Sequence, residues 1–469
     1  MSRKGAPSHG FESVSPKAWK QQIQFELLGA DYNTSVITHR QEGIKVKPFY
    51  TSEDLPTNLP THKSAQTATP QGNINDFLIS FEVYANHSDM ANKKALWCIE
   101  KGCDKIIFLV QESIEHPEKL LANIPVDMHL NLILQKPTSQ QIENFSSYLN
   151  RVGNPRWQCS TDPISHYLTQ GKWWKSELED GKLLEELIEK LPGSILTIDS
   201  RICHSAGAHM SLQLAHAMSH FTSYAIQLSE KNTLSKIKEV HFQLHTGNDF
   251  LMEISKIKAL DLLWASVCQS LHISLPYVLC VEGAAIDKTL FANNTNTIRN
   301  STQLLSGVIA GAQEILCTPY DRIHKKSHAY SDRLAINQAL ILKHECHFEN
   351  IKDPLSGSYA VERLSYELAE KALEIYQKTE AKGGLVAGML RHEIQRDIQS
   401  QYLKTLEKFQ KGDAVLIGAN YLAKHEPLSL EKYPFIKKQH NKTLVPPLVP
   451  KRYAMEWEQK IQRDSHENR

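Results

Sequence analysis

The sequence has no surplus of charge of either sign: 53 Lys and Arg stand against 52 Asp and Glu. A chain built to coat nucleic acid carries a clear basic excess, so no nucleic-acid partner is expected. Long apolar runs are missing as well. Nothing approaches the roughly 18 consecutive apolar residues of a membrane span, and no membrane association is expected. The opening MSRKGAPSHGFESVSPK has no apolar stretch of the secretory kind, so the expected location is cytoplasmic. Cysteine is sparse and unpatterned. Cys98, Cys103, Cys159, Cys203, Cys268, Cys280, Cys317 and Cys346 form no Cys-x-x-Cys, and several lie in apolar runs. They read as reduced, mostly buried thiols rather than a disulfide or zinc framework. A glycine-rich dinucleotide fingerprint and a P-loop are both absent. What is present is bulk: 469 residues, 41% hydrophobic, enough to bury a large core.

Along the chain, Ser15-Pro16 reads as a helix start, with Trp19, Ile23 and Leu27 at helical spacing and Gly29 as the stop. Residues 56–75, rich in Pro, Thr, Asn and Gln, read as a linker. Then a rhythm begins. Apolar, β-branched runs at 77–85, 105–110, 128–134, 195–200, 239–245, 277–281 and 314–320 alternate with helical periods, clearest at 87–101, 138–150, 205–227, 250–271 and 296–312. Strand then helix, repeated about seven times, predicts a parallel sheet with helical crossovers and favours a (β/α)8 barrel. The remainder is mainly helical: Ser365 is a plausible N-cap, Glu367–Lys371 and Glu374–Lys378 are possible i,i+4 pairs, and Gly383-Gly384 ends that helix. Pro434, Pro446, Pro447 and Pro450 predict an extended, packed tail, closed by a short helix near Tyr453–Gln462. The domain reading is an arm over 1–62, the barrel over 63–392 and a tail over 393–469.

Twenty-two histidines raise the question of metal. His216 and His220 stand at i,i+4 on a helix, a zinc-compatible spacing without the adjoining Glu or a third ligand, and read as structural. His241, Gln243 and His245 share one face of a strand, inward or outward. His324 with His328, and His344 with Cys346 and His347, read as solvated. Cys203-His204 is a poor nucleophile and base, because neighbours in sequence rarely reach each other correctly. Gly307 and Gly311 suit close packing of a helix on the barrel. Asp199, Glu282 and Asp321 fall at strand ends, where barrel enzymes place catalytic groups. Composition and spacing identify no chemistry beyond that.

Longer strings go further. GNDFLMEISKIKALDLLWASV (247–267), DPLSGSYAVERLSYELAEKALEIYQKTEAKGG (353–384) and RLAINQALILKHE (333–345) resemble segments of the methylmalonyl-CoA mutase family. So do GIKVKPFYTSEDL (43–55), NTIRNSTQLLSGVIAGAQEILCTPYD (296–321) and ICHSAGAHMSLQLAHAMS (202–219), in the family's order. The resemblance implies an acyl-CoA mutase barrel. It also implies adenosylcobalamin radical chemistry in the family's catalytic subunits, in propionate metabolism.

Three departures fall on that chemistry. The family's Arg-Gly-Pro-Tyr and Arg-Pro-Trp-Thr-Ile-Arg-Gln-Tyr strings have no counterpart in Thr61–Asn75 or FLISFEVYANHSDM. Aligning on Asn296 and Arg299 puts Cys280 or a neighbour where catalytic subunits carry a histidine; His272 lies before that strand. Asp464-Ser465-His466 starts, without completing, the Asp-x-His-x-x-Gly string of a cobalamin-binding domain, so no such domain is expected on this chain. CHSAGA (203–208) and RYAMEWEQKIQ (452–462) fit the small subunit's pattern better.

The chain thus resembles the small, or beta, subunit of heterodimeric methylmalonyl-CoA mutase. That implies a catalytic alpha partner that binds adenosylcobalamin and acyl-CoA and interconverts succinyl-CoA and (R)-methylmalonyl-CoA. No catalytic, cofactor-binding or metal-ligating residue is nominated here. Apolar residues on the arm (Trp19, Ile23, Leu27, Phe49, Tyr50) and tail (Leu444, Val445, Leu448, Val449) are the expected partner contacts. Two other readings stay open: an acyl-CoA-binding subunit that borrows cobalamin from a separate protein, and a free-standing barrel that binds a metal or small ligand.

Overall fold

The computed structural model describes residues 14–56, 77–191, 193–351, 353–422 and 442–459. Eight parallel strands form one sheet. They are β1 (Leu78–Ala85), β2 (Lys105–Val110), β3 (His129–Leu134), β4 (Trp157–Ser160), β5 (Leu196–Asp199), β6 (Val240–Thr246), β7 (Tyr277–Gly283) and β8 (Glu314–Leu316). Their order is β4-β3-β2-β1-β8-β7-β6-β5. The two end strands meet through a single bridge, Cys159 with Ser194, where the Ile195 N–H donates to the Cys159 carbonyl at 3.1 Å. The result is a nearly closed barrel with helices outside, as the strand-helix rhythm predicts. β4 is the strand that the rhythm misses. WQCS is four residues long, with Gln158 and Ser160 on one face, so it gives no apolar run.

The described helices used below are α1 (Pro16–Glu26), α2 (Ser88–Glu100), α3 (Ser139–Val152), α4 (Glu177–Lys190), α5 (Met210–Glu230), α6 (Phe250–Ser270), α7 (Thr295–Ala310), α8 (Ala329–Leu340), α9 (Tyr359–Ala381) and α10 (Glu393–Lys411). α5 and α6 are apolar nearly all round, because α9 packs across both from outside while the barrel packs from inside. Trp264 on α6 is fully buried. It makes edge-to-face contacts with Phe221, Phe242 and Tyr277 at 4.6–5.8 Å between ring centres. Truncating such a residue to Ala costs about 3–5 kcal/mol.

α1 starts as read: the Ser15 hydroxyl accepts from the Ala18 N–H at 3.2 Å and Pro16 opens the first turn. None of its residues is buried. Gly307 lets α7 lie on the barrel, since a Cβ there would stand 2.5 Å from a Val281 methyl. Two readings of α9 are corrected. Its N-cap is Ser358, not Ser365, which is buried mid-helix with its hydroxyl on the Val361 carbonyl. Glu367 pairs with Arg363 rather than Lys371, while Glu374–Lys378 forms. The linker expected over 56–75 lies, beyond Pro56, outside the described residues, as do Pro434 and Asp464-Ser465-His466.

Candidate functional site

The barrel interior is filled in layers. Lys105 on β2 and Glu314 on β8 form a buried ion pair across β1 near its floor, each under 5% exposed. Above them Ile107, Ile133, Cys280 and Leu316 make a small apolar layer. Along the β4–β5 seam the Thr197 hydroxyl donates to that of Ser160 at 2.8 Å.

The third layer is the mouth, at the carboxyl ends of the strands, and it is ionic. Arg201, just past β5, lies between three carboxylates. Its Nε donates to Asp199 Oδ1 at 2.9 Å and its Nη2 to Asp199 Oδ2 at 2.7 Å. Its Nη1 donates to Glu282 Oε2 at 2.7 Å, and both Nη atoms reach Glu82 Oε2 at 3.2–3.3 Å. Half-exposed Arg322 bridges the other oxygens, Glu282 Oε1 at 3.2 Å and Glu82 Oε1 at 3.3 Å. The Thr318 hydroxyl donates to Glu282 Oε1 at 2.6 Å. Burial alone would push the Glu282 carboxyl up. Arg201, then His245 and Arg322, outweigh burial and hold it well below the usual carboxylate range. The same carboxylates keep the Arg201 guanidinium charged despite its burial. A carboxylate so firmly ionised does not exchange protons near neutral pH.

A cavity of about 910 Å³ opens above this cluster. Residues 444–458 cross it as a strap. The Leu444 and Val445 N–H groups donate to the Gly171 carbonyl, Leu448 to Leu168, Lys451 to Ser205 and Tyr453 to Ile286. Gly171 has φ +67°, and a Cβ on it would stand 2.2 Å from the Val445 carbonyl oxygen, so only glycine admits the strap there. Arg452 pairs with Glu458 at 2.8 Å, and Glu458 accepts from the Leu290 N–H at 2.6 Å. Lys288 lines the cavity, buried, with burial pulling its amine down to about 8.

Of the strand-end carboxylates read from the sequence, Asp199 and Glu282 meet at the mouth. Asp321 does not: it is buried and accepts from His328 at 2.8 Å. Arg201, Arg322, Glu82 and Lys288 escape sequence reasoning. Arg201 carries one signal, its place two residues after a strand-end Asp. His241, Gln243 and His245 face inward: His241 bonds Glu239 at 2.8 Å, and His245 bonds Ser205 at 3.2 Å and lies 3.4 Å from Glu282. His220 donates to Asp162 at 2.9 Å in a buried network with Tyr224, while His216 lies apart, buried and held down to about 4 by burial. His324 is a correction: it is 2% exposed, not solvated. His344, Cys346 and His347 are exposed as read. Cys203 and His204 cannot act as nucleophile and base. Burial raises the Cys203 thiol to about 12 and pushes His204 well below its ordinary range. Among the described residues, no group of three or more His, Cys, Asp or Glu side chains is placed to hold a metal ion, and no helix is long and apolar enough to cross a membrane.

The tail reading is half corrected: Val445 and Leu448 are buried within this chain, while Leu444 and Val449 are exposed. Trp19 and Phe25 on α1, and Leu28 just after it, are more than half exposed, and Trp19 meets only the edge of Phe49, at 6.1 Å.

Against known proteins, residues 119–461 match the family model described as methylmalonyl-CoA mutase. The methylmalonyl-CoA mutase small subunit of Porphyromonas gingivalis is 26% identical over 480 residues, covering 95% of this chain and 75% of that protein. The small subunit of Propionibacterium freudenreichii subsp. shermanii is 22% identical, covering 95% and 73%. The methylmalonyl-CoA mutase of Cereibacter sphaeroides is 23% identical, covering 88% of this chain and 65% of that protein. Among solved structures, the Yersinia pestis dihydropteroate synthase matches loosely, at TM-score 0.32 and 13% identity over 60% of this chain and 98% of that one.

Proposed function

The chain belongs to the methylmalonyl-CoA mutase family, and from that premise we propose that it is the small, non-catalytic subunit of such a mutase. Its partner is a catalytic subunit that carries adenosylcobalamin and exchanges succinyl-CoA with (R)-methylmalonyl-CoA. This chain's part is to fold around that partner and stabilise it.

The observation that carries the reading is the Arg201 cluster. A barrel that works on a substrate at the carboxyl ends of its strands must leave room there to admit it. Here Arg201 ties Glu82, Asp199 and Glu282 together in the middle of the mouth, and the strap crosses above it. Removing a guanidinium from three carboxylates to admit an acyl group that itself carries a carboxylate would strand buried negative charge, at a cost of several kcal/mol. The residues at this mouth therefore do not fit adenosylcobalamin acting on a substrate inside this barrel. α1 supports the other half of the reading. A helix with no buried residue and exposed Trp19 and Phe25, followed by exposed Leu28, is apolar surface of the kind that partners cover.

The test is co-expression with the catalytic subunit from the same source, with an affinity tag on this chain alone. The expected result is a 1:1 complex holding cobalamin and mutase activity, with neither on this chain by itself. Turnover by this chain once a separate cobalamin protein is supplied would refute the proposal.

A further inference from the structure

α10 and the strap form the two walls of an open groove of about 830 Å³, with Ala206, Ile398 and Leu448 buried along its floor. The α10 wall is a stripe at helical spacing, Arg396, Ser400, Leu403 and Glu407, with Lys404 beside it. Leu403 is out of place there. The other apolar residues of α10, such as Ile394, Ile398 and Leu406, are buried, whereas Leu403 is 49% exposed. The strap wall repeats the pattern. Val445 and Leu448 are buried inward, while Val449 is 56% exposed. Pro446, Pro447 and Pro450 have no N–H, and the N–H groups of Leu444, Val445, Leu448 and Lys451 are spent on the barrel's loops. No row of donors is left for a strand to pair with, so an occupant of this groove is held by side chains.

The charge along the groove is one-sided. Arg396, Lys404 and Lys451 line it, and none of them forms an ion pair among the described residues. Arg396 Nε donates to the His392 carbonyl at 3.3 Å, and Lys451 reaches the Gln399 side chain and lies over the Tyr402 ring at 4.4 Å. The single carboxylate among the lining residues, Glu407, is neutralised by Lys411 at 2.6 Å. Asp397 follows Arg396 on the helix but does not line the groove. Three cations without counterions, around two exposed apolar side chains, are the complement of carboxylates around an apolar anchor.

We propose that this groove seats an acidic segment of the catalytic subunit. An apolar side chain of that segment packs against Leu403 and Val449, and its carboxylates meet Arg396, Lys404 and Lys451. The choice of partner rests on the small-subunit reading, whereas the chemistry of the segment follows from the groove alone. No residue of the groove belongs to α1 or to the Arg201 cluster.

The test is calorimetric titration of the full chain with the catalytic subunit from the same source, at about 50 and about 500 mM NaCl. Arg396→Glu combined with Lys404→Glu weakens binding at least about tenfold, and so does Leu403→Asp alone. Binding by the parent weakens at high salt, and binding by the double variant does so much less. Lys119→Glu combined with Lys238→Glu makes the same change of net charge on exposed lysines away from the groove, and this control binds like the parent. The substituted side chains are exposed, so each isolated variant melts with the parent. Should the charge reversal fail to fold, Arg396→Gln with Lys404→Gln takes its place. Sedimentation of this chain alone gives a monomer. The inference is overturned if the groove variants bind within about twofold of the parent or if the control weakens binding as much as they do. It is also overturned if the chain alone is a dimer that Leu403→Asp dissociates, which would seat a second copy in the groove. No complex with the unaltered chain would refute the small-subunit reading and this inference with it, a result distinct from a complex indifferent to the groove.

Discussion

Replacing Arg201 with methionine removes the one group that touches all three mouth carboxylates while keeping most of the side chain's length. Five hydrogen bonds of 2.7–3.3 Å are lost. Arg322 still reaches Glu82 and Glu282, so those two keep a partner, and Asp199 keeps only its bond from the residue 201 N–H. Breaking a buried pair by deleting one member costs about 3–5 kcal/mol. With an unfolding entropy of about 2 cal/mol/K per residue, that corresponds to a fall of roughly 3–5 °C in melting temperature at pH 7.5. The sign with pH follows from Glu282, whose folded pKa is depressed. Its contribution is present above the unfolded carboxylate value of about 4.3 and is lost as pH falls below it. In the variant the crowded carboxylates take up protons instead. The gap between the two proteins therefore narrows as pH falls from 7.5 toward about 4.5. Melting followed by far-UV circular dichroism at several pH values measures it. A variant within about 1 °C of the parent at pH 7.5, or a gap that widens in acid, would refute the view that Arg201 neutralises this mouth.

Other predictions follow from single contacts. Phe25→Asp on α1 leaves the melting temperature of the isolated chain within about 1 °C, since no residue of that helix is buried, but lowers affinity for the catalytic subunit at least about tenfold in a pull-down or calorimetric titration. Tyr224→Phe deprives Asp162 of a 2.7 Å donor and the Ile164 N–H of its acceptor, destabilising the chain by about 1–3 kcal/mol in urea unfolding. Native thiol titration labels Cys346 alone, with the seven buried cysteines reacting only in denaturant.

Much of the fold is legible because its signals are local. KIIFLV, a short β-branched apolar run, and VHFQLHT, with its period of two, carry strand signals, and Ser15-Pro16 and Gly383-Gly384 punctuate helices by backbone chemistry. β4 is invisible for the opposite reason: a four-residue strand lining a polar interior has the composition of a loop. The mouth is half legible. Asp199 and Glu282 announce themselves at strand ends, but Glu82 and Arg322 reach them from other parts of the chain, and no period in the sequence records a contact made by closing a barrel. His324 shows the same limit: polar neighbours in sequence suggested solvent, while the fold buries the ring beside Asn293.

The strap gives this barrel an unusual dependence on the order of its synthesis. β4 and β5 share only one bridge, and the segment that ties the loop after β4 to the loop after β5, through Leu168 and Ser205, is residues 444–451. Those residues leave the ribosome long after both strands have been made. Until they arrive the β4–β5 seam is held only by that bridge, the Thr197–Ser160 hydroxyl bond and the Asp199 N–H on Asp162. Assembly with a partner during translation would then compete with closure, and slowing translation just before residue 442 would lengthen the interval in which it can occur.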